Sequence, residues 1–413
     1  MSVAERPLRI AHVVRRFVFD EWGGTETVVW NTVLNQRKLG LAPEILTTAA
    51  LSHPGEELRD KIRIRRFPYF YAYFPMSAQT AGLLDKKGGN PFAPALFKAL
   101  RQEPFDLIHI HCGGRMAVMS ALTAHRRKLP CVISLHGGHA AVPPEEIRQM
   151  MEPVRHKLHY GGIIDRLRRL RRDAAAEADA VICISREEER LLAARYPGHR
   201  VVYLPNGVNR GDFQTKPECS PRREWGIPAD RKLALCISRI DYQKNQMMLL
   251  ELPRRDLQCH LLLIGPVTAP WYLDRLRERA GQLGVADRLT VIPGLPPGDP
   301  RLKAILHEAE LFVLPSLHEP FGIVALEAWA AGLPVLASNA GGLKDFIVSG
   351  RNGILFDPDD PEALFRGYKA LTGDAALRAQ LAANALDDVR KYDYGALTGR
   401  LLELYRELIH ERW

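Results

Sequence analysis

The sequence alternates short apolar runs with segments of helical periodicity, and it does so in two series. The first series begins with LRIAHVV at residue 8 and continues through FDLIHIHC, PCVISLHGG, AVICIS and VVYLP. The second begins with KLALCIS at residue 232 and continues through HLLLIG, RLTVIPG, LFVLPS and PVLAS. Because strands that alternate with helices form parallel sheets, the chain is predicted to fold into two doubly wound, Rossmann-like α/β domains.

Length and composition agree with two domains. The chain has 413 residues, 46% of them hydrophobic, which is more than one ordinary core holds. Residues 206–228 are rich in Gly, Pro, Asn and charge, a composition typical of a linker. We expect a first domain over residues 1–214, a second over 215–390 and a last helix over 391–413. Ligands bind at the carboxyl ends of parallel strands, so two such domains facing a cleft predict a cleft enzyme.

The charge and hydropathy of the chain indicate its cellular compartment and the charge of its partners. Residues 1–16 hold scattered charges and no apolar segment before a small-residue cleavage site, and no run suits a membrane span, so we expect a cytoplasmic protein. Six cysteines lie scattered without a C-x-x-C pair, as in a reducing compartment. The chain carries a net charge of +9, and its positive excess lies in residues 1–210, with 32 Lys and Arg against 21 Asp and Glu, while the rest holds 25 against 27. This excess suggests either an anionic partner or solvated arginines on helix faces.

The most informative segment is LFVLPSLHEPFGIVALEAWAAG, residues 311–332. An apolar strand leads into a polar loop with Glu319, and a short helix then begins near residues 321–323 and ends at Gly332. Glu327 is the only polar side chain of that helix. Burying an unpartnered carboxylate costs roughly several kcal/mol, so Glu327 indicates a hydroxyl-rich or cationic partner unless it faces solvent on an exposed rim.

The start of this helix favours an anion such as a diphosphate, because its free N–H groups and its dipole attract negative charge. The pattern E-P-F-G-x-x-x-x-E followed by AAGLPV resembles the signature of glycosyltransferase family 4, whose members are retaining enzymes of the GT-B fold. The resemblance implies that Glu319 holds hydroxyls of the donor sugar and that Glu327 accepts from the ribose hydroxyls. It places the diphosphate on the amides of Gly322, Ile323 and Val324 at the helix start and includes Phe321 among the donor-binding residues.

A second segment, CISRIDYQKNQ, places Arg239 and Lys244 just past a strand. Two cations there suit a pyrophosphate leaving group, although two solvated loop charges are the alternative. The pair resembles the R-x-x-x-x-K diphosphate motif of the family, with Asn245 where many members have glycine.

The first domain adds three candidates. Gly23 and Gly24 open the first helix, where missing side chains let the backbone approach a ligand, and they resemble the G-G-x-E loop that in the family lies against the donor phosphate and the acceptor. His136 ends the strand VISLHGG, where family members carry a histidine that contacts the donor sugar; a structural histidine is the alternative. The resemblance also implies that the last helix crosses back to the first domain.

Metal chemistry is not predicted. Asp357-Pro358-Asp359 imitates a D-x-D metal motif but has the composition of a turn after a strand. His109 and His111 share one face of a predicted strand, with Cys112 next to them, and could bind zinc. No second cluster at ligand spacing completes such a site. We therefore expect neither a metal nor another cofactor.

Two basic segments are also rich in apolar residues. IRIRRFPYFYAYFPM is basic and then aromatic, and GGIIDRLRRLRRDAAAEAD is rich in arginine. Such segments suit single-stranded nucleic acid or an anionic bilayer, and beside a sugar-transfer site the bilayer fits better. We expect no nucleic-acid partner, and peripheral contact with the inner face of a membrane is the hypothesis.

Taken together, the sequence predicts a retaining, metal-independent glycosyltransferase that uses a nucleoside-diphosphate sugar, UDP or GDP linked. The predicted acceptor is a growing cell-envelope glycan or a lipid-linked saccharide, with a small secondary metabolite as the alternative. His136, Glu319, Arg239 and Lys244 are the predicted catalytic residues. A GT-B nucleotide-sugar epimerase would need more acid/base groups than these, and a non-catalytic binding module would lack the sugar-side pair of His136 and Glu319.

Overall fold

A computed structural model of the chain describes residues 6–20, 22–137, 152–167, 170–296 and 298–412. It contains two compact units, Met1–Pro205 with Tyr394–Trp413, and Asn206–Asp393. The second unit thus takes in residues 206–214, which the sequence assigned to the first domain. The reason is local, because the N–H of Val208 donates to the carbonyl of Tyr392 at 2.8 Å within this unit.

The first unit combines strands and helices in alternation. Its strands are β1 (Arg9–Arg16), β2 (Ala42–Thr48), β3 (Gly55–Arg59), β4 (Ile62–Phe67), β5 (Tyr73–Phe74), β6 (Leu107–Ile110), β7 (Cys131–Ser134), β8 (Leu158–His159), β9 (Ala180–Cys183) and β10 (Arg200–Tyr203). Its helices before the second unit are α1 (Gly24–Lys38), α2 (Ala78–Lys87), α3 (Pro94–Gln102), α4 (Gly114–Arg127), α5 (Gly161–Leu167) and α6 (Arg186–Arg195).

Eight of these strands form one sheet with the order β10-β9-β7-β6-β1-β2-β4-β3. Neighbours are parallel except β3 and β4, and β5 pairs with β8 in a separate antiparallel ribbon. The chain builds outward from β1 through β2 and β4 on one side and through β6, β7 and β9 on the other. The strand order therefore reverses between β1 and β6, and a crevice forms at their carboxyl ends.

The second unit repeats this plan. Its strands are β11 (Lys232–Ile237), β12 (Cys259–Ile264), β13 (Leu289–Ile292), β14 (Leu311–Leu314), β15 (Val335–Ser338) and β16 (Ile354–Phe356). Its helices are α7 (Pro221–Glu224), α8 (Glu251–Arg255), α9 (Pro270–Gln282), α10 (Pro300–Leu306), α11 (Ile323–Ala330), α12 (Pro361–Gly373) and α13 (Ala375–Asp388). The sheet is parallel, with the order β13-β12-β11-β14-β15-β16, so its order reverses between β11 and β14. The two doubly wound α/β folds predicted from the sequence are confirmed.

The last helix, α14 (Tyr394–His410), belongs to the first unit. Its buried leucines pack with Ile10 of β1, Leu107 of β6 and Val132 of β7, so the helix covers the sheet. Short 3₁₀ helices occupy several connections: Glu152–Val154, Arg210–Phe213, Tyr242–Lys244, Gln246–Leu250, Ala286–Arg288, Gly341–Asp345 and Val389–Tyr392. Within the described ranges, no helix is both long and apolar enough to cross a membrane.

Candidate functional site

The carboxyl ends of β11 and β14 bring a lysine and a glutamate together. Lys244 lies in the turn after β11, and Glu319 lies in the loop after β14. The Nζ of Lys244 donates to Oε2 of Glu319 at 2.7 Å, and only 11% and 10% of the two side chains are exposed. Burial removes both charges from water, a cost that their mutual attraction and further hydrogen bonds must offset. The pair therefore ties the two loops together at the reversal of strand order.

Neighbouring polar groups hold this pair in place. Asp241 caps the 3₁₀ turn, because its Oδ1 accepts from the N–H of Lys244 at 3.3 Å while its Oδ2 accepts from Thr268 at 2.9 Å. On the other side, Oγ of Ser316 donates to Oε2 of Glu319 at 3.1 Å. A hydrogen bond within each loop thus holds the backbone of Lys244 and the carboxylate of Glu319.

Arg239 shares the loop of Lys244 but has a different environment. Its guanidinium lies 3.4 Å from Oδ2 of Asp241 and donates to Oε1 of Gln243 at 3.3 Å. About half of its side chain, 48%, remains exposed. The structure therefore brings Lys244 to Glu319 and leaves Arg239 as a more exposed cation on the same loop.

Two glycines pack against the backbone of the Glu319 loop. The N–H of Gly342 donates to the carbonyl of Glu319 at 2.9 Å. A Cβ on Gly341, whose φ is +55°, would overlap that carbonyl oxygen, and a Cβ on Gly342 would overlap the carbonyl oxygen of Pro320. Glycine is required at both positions because the two backbones are in direct contact.

Helix α11 begins directly after this loop. Gly322 precedes it with φ +93°, a left-handed conformation that favours glycine, and a Cβ there would lie 2.6 Å from the side chain of Leu343. Ile323 and Val324 supply the first N–H groups of the helix, which have no acceptor within a helix. The ring of Phe321 is 2% exposed and packs against other aromatic rings, so it holds the loop from inside.

Glu327 lies on α11, one turn after its start. Its side chain is half-buried, and burial raises the pKa of its carboxyl to about 7, with Lys303 acting in the opposite direction. Among the described residues no hydrogen-bond or ion-pair partner of this carboxylate is found. A ligand that donates hydrogen bonds to Glu327 would therefore stabilise its ionised form.

In the first unit, a cavity of about 450 Å³ lies at the reversal of strand order between β1 and β6. Gly23 precedes α1, Gly24 begins it, and the carboxylate of Glu26 is buried and lies 3.2 Å from the guanidinium of Arg16. The cavity is lined by Val14, Arg15, Arg16, Thr25, Glu26, Gly88, Gly89, Asn90, His111, Cys112, Gly113 and Gly114. Its walls thus combine two arginine side chains with several glycines, which leave the backbone uncovered.

His136 follows β7, and its Nε2 lies 3.2 Å from Nδ1 of His111 on the neighbouring strand end. Burial lowers the pKa of His136 to about 4, so the ring is neutral at physiological pH. Its Nδ1 is buried and has no hydrogen-bond partner within the described part of the chain. The hydrogen-bonding capacity of this nitrogen is therefore unused among the described residues.

His12 and Gln36, which lie at a cluster of buried histidines, were not predicted from the sequence. His12 of β1 lies beside His109 and His111 of the β6 edge, and Gln36 of α1 closes the cluster on the far side. Cys112, which the sequence grouped with the two histidines, does not belong to it. The spacing pattern could not reveal His12, because only the pairing of β1 with β6 places it opposite His109.

Comparisons with known proteins give the family to which the chain is similar. The family described as glycosyl transferases group 1 matches residues 220–388, and the glycosyl transferase 4-like domain matches residues 23–207. D-inositol 3-phosphate glycosyltransferase of Xylanimonas cellulosilytica is 30% identical over 75% of this chain and 73% of that protein. The enzyme of the same name from Nocardia farcinica is 27% identical over 94% and 86%. The crystal structure of Anabaena HepE in complex with UDP and glucose superposes with a TM-score of 0.71 at 19% identity, over 97% of this chain and all of that chain.

Replacing Gly341 by alanine is expected to lower the free energy of unfolding of the second unit by about 1–3 kcal/mol, because the added methyl group meets the carbonyl of Glu319. Denaturant titration measures the change. Gly281→Ala is the matched control: it lies in α9 with nothing within 4 Å of the new Cβ, and it should raise stability by about 0.5–1 kcal/mol. Equal stability of Gly341→Ala and the wild type would contradict the described backbone contact.

Proposed function

Because the chain belongs to glycosyltransferase family 4 and is a glycosyltransferase of the GT-B fold, we propose that it transfers a sugar, with retention of configuration, from a nucleoside-diphosphate sugar to an acceptor hydroxyl. The observation that carries the proposal is the buried pair of Lys244 and Glu319 next to the start of α11. A cation, a hydroxyl-binding carboxylate and free N–H groups are the three features that a diphosphate sugar requires.

The diphosphate is the leaving group, and its charge grows as the bond to the sugar breaks. We assign the stabilisation of this charge to Lys244, Arg239 and the N–H groups of Ile323 and Val324. These groups are positive without a metal ion, so the reaction is proposed to be metal-independent. The crystal structure of HepE contains UDP, and UDP is therefore the first nucleotide to test, with GDP next.

The donor sugar is assigned to Glu319 and His136. Lys244 occupies Oε2 of Glu319, so Oε1 is the oxygen that remains for a sugar hydroxyl. Glu327 is assigned to the ribose hydroxyls, for which an ionised carboxylate is the natural acceptor. Retention follows if the acceptor hydroxyl attacks the face that the diphosphate leaves, with a phosphate oxygen accepting its proton. This route needs no carboxylate nucleophile from the protein.

A growing cell-envelope glycan or a lipid-linked saccharide is the proposed acceptor. An exposed apolar patch supports it: Phe74 of β5 and Leu158 of β8 pair directly and are 67% and 68% exposed. Arg155, with two thirds of its side chain exposed, and Lys157 lie on the same segment as Leu158. Apolar side chains beside cations are the combination that binds an anionic bilayer surface.

A phosphorylated polyol is the second candidate acceptor. The relatives from Xylanimonas and Nocardia act, by their names, on D-inositol 3-phosphate. In this chain Arg15 and Arg16 line the cavity of the first unit and would suit a phosphate group. Transfer assays with UDP-sugars and either inositol 3-phosphate or a lipid-linked saccharide distinguish the two acceptors.

UDP is expected to raise the melting temperature of the protein equally with and without EDTA, since a ligand of the folded state stabilises it. Lys244→Ala and Glu327→Ala should each lose most of this shift and lower turnover by about a hundredfold or more. Thermal-shift titration and a sugar-transfer assay measure both effects. Lys369→Ala, an exposed lysine of α12, is the control and should behave as the wild type. Near-normal turnover of both site variants would refute the assignment of the donor site.

Nucleotide binding is expected to strengthen as pH rises from 6 to 8. The pKa of Glu327 is about 7, and the ribose hydroxyls bind its ionised form, so below pH 7 binding must first remove a proton. The affinity for UDP should therefore fall by up to about tenfold per pH unit below 7 and level off above it. Isothermal titration of the wild type against Glu327→Gln isolates this effect from the titration of UDP itself. Identical pH dependence in the two proteins would argue against Glu327 as the ribose-binding carboxylate.

The apolar patch is expected to bind vesicles that contain phosphatidylglycerol more strongly than vesicles of phosphatidylcholine alone. The double variant Phe74→Ser with Leu158→Ser should weaken binding by about tenfold or more, because each side chain contributes about 1.5–3 kcal/mol when buried. Vesicle co-sedimentation at low salt measures the difference. Leu257→Ser, 69% exposed in the second unit, is the matched control. No binding of the wild type to anionic vesicles would remove the support for a lipid-linked acceptor.

A further inference from the structure

A chain of hydrogen bonds leads from the interior of the first unit to His136. We call Gln36, His12, His111 and His136 the histidine relay. Oε1 of Gln36 lies 2.8 Å from Nε2 of His12, Nδ1 of His12 lies 2.9 Å from Nε2 of His111, and Nδ1 of His111 lies 3.2 Å from Nε2 of His136. Gln36, His12 and His111 are between 0 and 5% exposed, so water does not interrupt the chain.

The direction of this chain is set at its inner end. The carbonyl oxygen of an amide only accepts hydrogen bonds, so His12 must carry its proton on Nε2. The other nitrogen of a neutral His12 then accepts, and His111 must donate to it from Nε2. The Nδ1 of His111 is then unprotonated and accepts from the Nε2–H of His136. His136 therefore carries its proton on Nε2 and has an unprotonated Nδ1.

A second branch of hydrogen bonds leads from the amide of Gln36 to His109. Its NH₂ group donates to the hydroxyl of Tyr405 at 3.3 Å, and that hydroxyl lies 2.5 Å from Nδ1 of His109. His109 in turn reaches Oγ of Ser134 with its Nε2 at 2.7 Å. If the amide were turned round, each hydrogen bond would reverse and the relay would end in an N–H donor on Nδ1 of His136. A buried donor without a partner is rarer in proteins than an acceptor without one, which favours the direction described here.

We infer that Gln36, acting through the histidine relay, holds His136 as its Nε2–H tautomer and so leaves the Nδ1 lone pair as the acceptor for a ligand hydroxyl. Gln36 is a positioning residue, because it touches only His12 and Tyr405 within this network and reaches the ligand side through other rings. That the ligand hydroxyl belongs to the donor sugar rests on the proposed function, whereas the tautomer of His136 does not.

Burial supports neutral rings throughout the network. It lowers the pKa of His12 and His136 to about 4 and holds the pKa of His109 and His111 well below its ordinary value. A cationic His12 or His111 would carry N–H groups on both nitrogens and would face the N–H of the next ring. The directional chain therefore exists only while these two rings are neutral.

The same geometry accounts for the cluster of His12, His109 and His111 without a metal ion. One nitrogen of each ring lies within 4.8 Å of those of the other two, a spacing that a metal site also requires. All six ring nitrogens of the cluster, however, already lie within hydrogen-bond distance of protein partners. Coordination of an ion by all three rings would need at least two of those hydrogen bonds to break.

Nuclear magnetic resonance of ¹⁵N-histidine-labelled full-length protein tests the inference, since long-range proton–nitrogen correlations distinguish the two tautomers. At pH 7.5 the wild type should show Nε2–H rings for His12, His111 and His136. An Nδ1–H tautomer or a cationic ring at His136 would overturn the inference in the wild type alone, without any variant.

Gln36→Leu removes the acceptor at the inner end, and His136 should then populate both tautomers. Tyr405→Phe keeps the ring in the core and leaves the NH₂ group of Gln36 without its acceptor. Because a buried donor without a partner is less favourable than such an acceptor, the turned amide gains weight and the variant should give the same mixture. Thr32→Val, a buried polar change one turn earlier on α1, is the control and should keep the wild-type tautomer. A pure Nε2–H ring at His136 in both Gln36→Leu and Tyr405→Phe would show that another group selects the tautomer.

Measuring kcat and the UDP thermal shift together tests this inference separately from the proposed function. Gln36→Leu should lower kcat by roughly tenfold to a hundredfold, by analogy with the loss of groups that orient metal-ligating histidines, while the thermal shift with UDP stays intact. A changed tautomer with unchanged kcat would overturn the assignment of His136 to the donor sugar and leave the tautomer result standing. Loss of the UDP shift in the wild type would instead contradict the proposed donor site.

Discussion

The ion pair between Lys244 and Glu319 determines how the functional loops of the second unit are arranged. Each side chain is about nine-tenths buried, and neither charge could remain there without the other. The pair can form because β11 and β14 are neighbours in the sheet, so that their carboxyl ends lie side by side. The tight contact of Gly341 and Gly342 with the Glu319 loop fixes the backbone that presents the carboxylate.

In the described part of the first unit, His136 at the end of β7 is positioned by neutral partners and not by an ion pair. There the neutral rings of His12, His111 and His136 are linked by hydrogen bonds that have a direction, set by the amide of Gln36. An ion pair fixes where two charges lie, and it leaves the remaining lone pairs of Glu319 open to a ligand. A chain of neutral rings also fixes which atom carries a proton, which is the property that a sugar hydroxyl recognises.

Much of the candidate site could be predicted because it follows local patterns. Glu319, Glu327 and Lys244 stand in short motifs at the ends of strands, and the parallel arrangement predicts that such ends carry the ligand. His12 and Gln36 could not be predicted, because an apolar strand and an amphipathic helix show no unusual spacing at those positions. Likewise the sequence put Arg239 and Lys244 together as two loop cations, whereas only Lys244 is buried against a carboxylate.

The sequence by itself determined the two α/β series, the glycines that precede helices and the residue types available at each strand end, because periodicity and turn chemistry act over a few neighbouring residues. Only the tertiary structure decided the order of the strands, and with it which strand ends meet. Strand order depends on pairing between segments far apart in the chain, such as His12 with His109. Burial, pairing of charge and the direction of a hydrogen-bond chain all follow from those distant contacts, so no local pattern contains them.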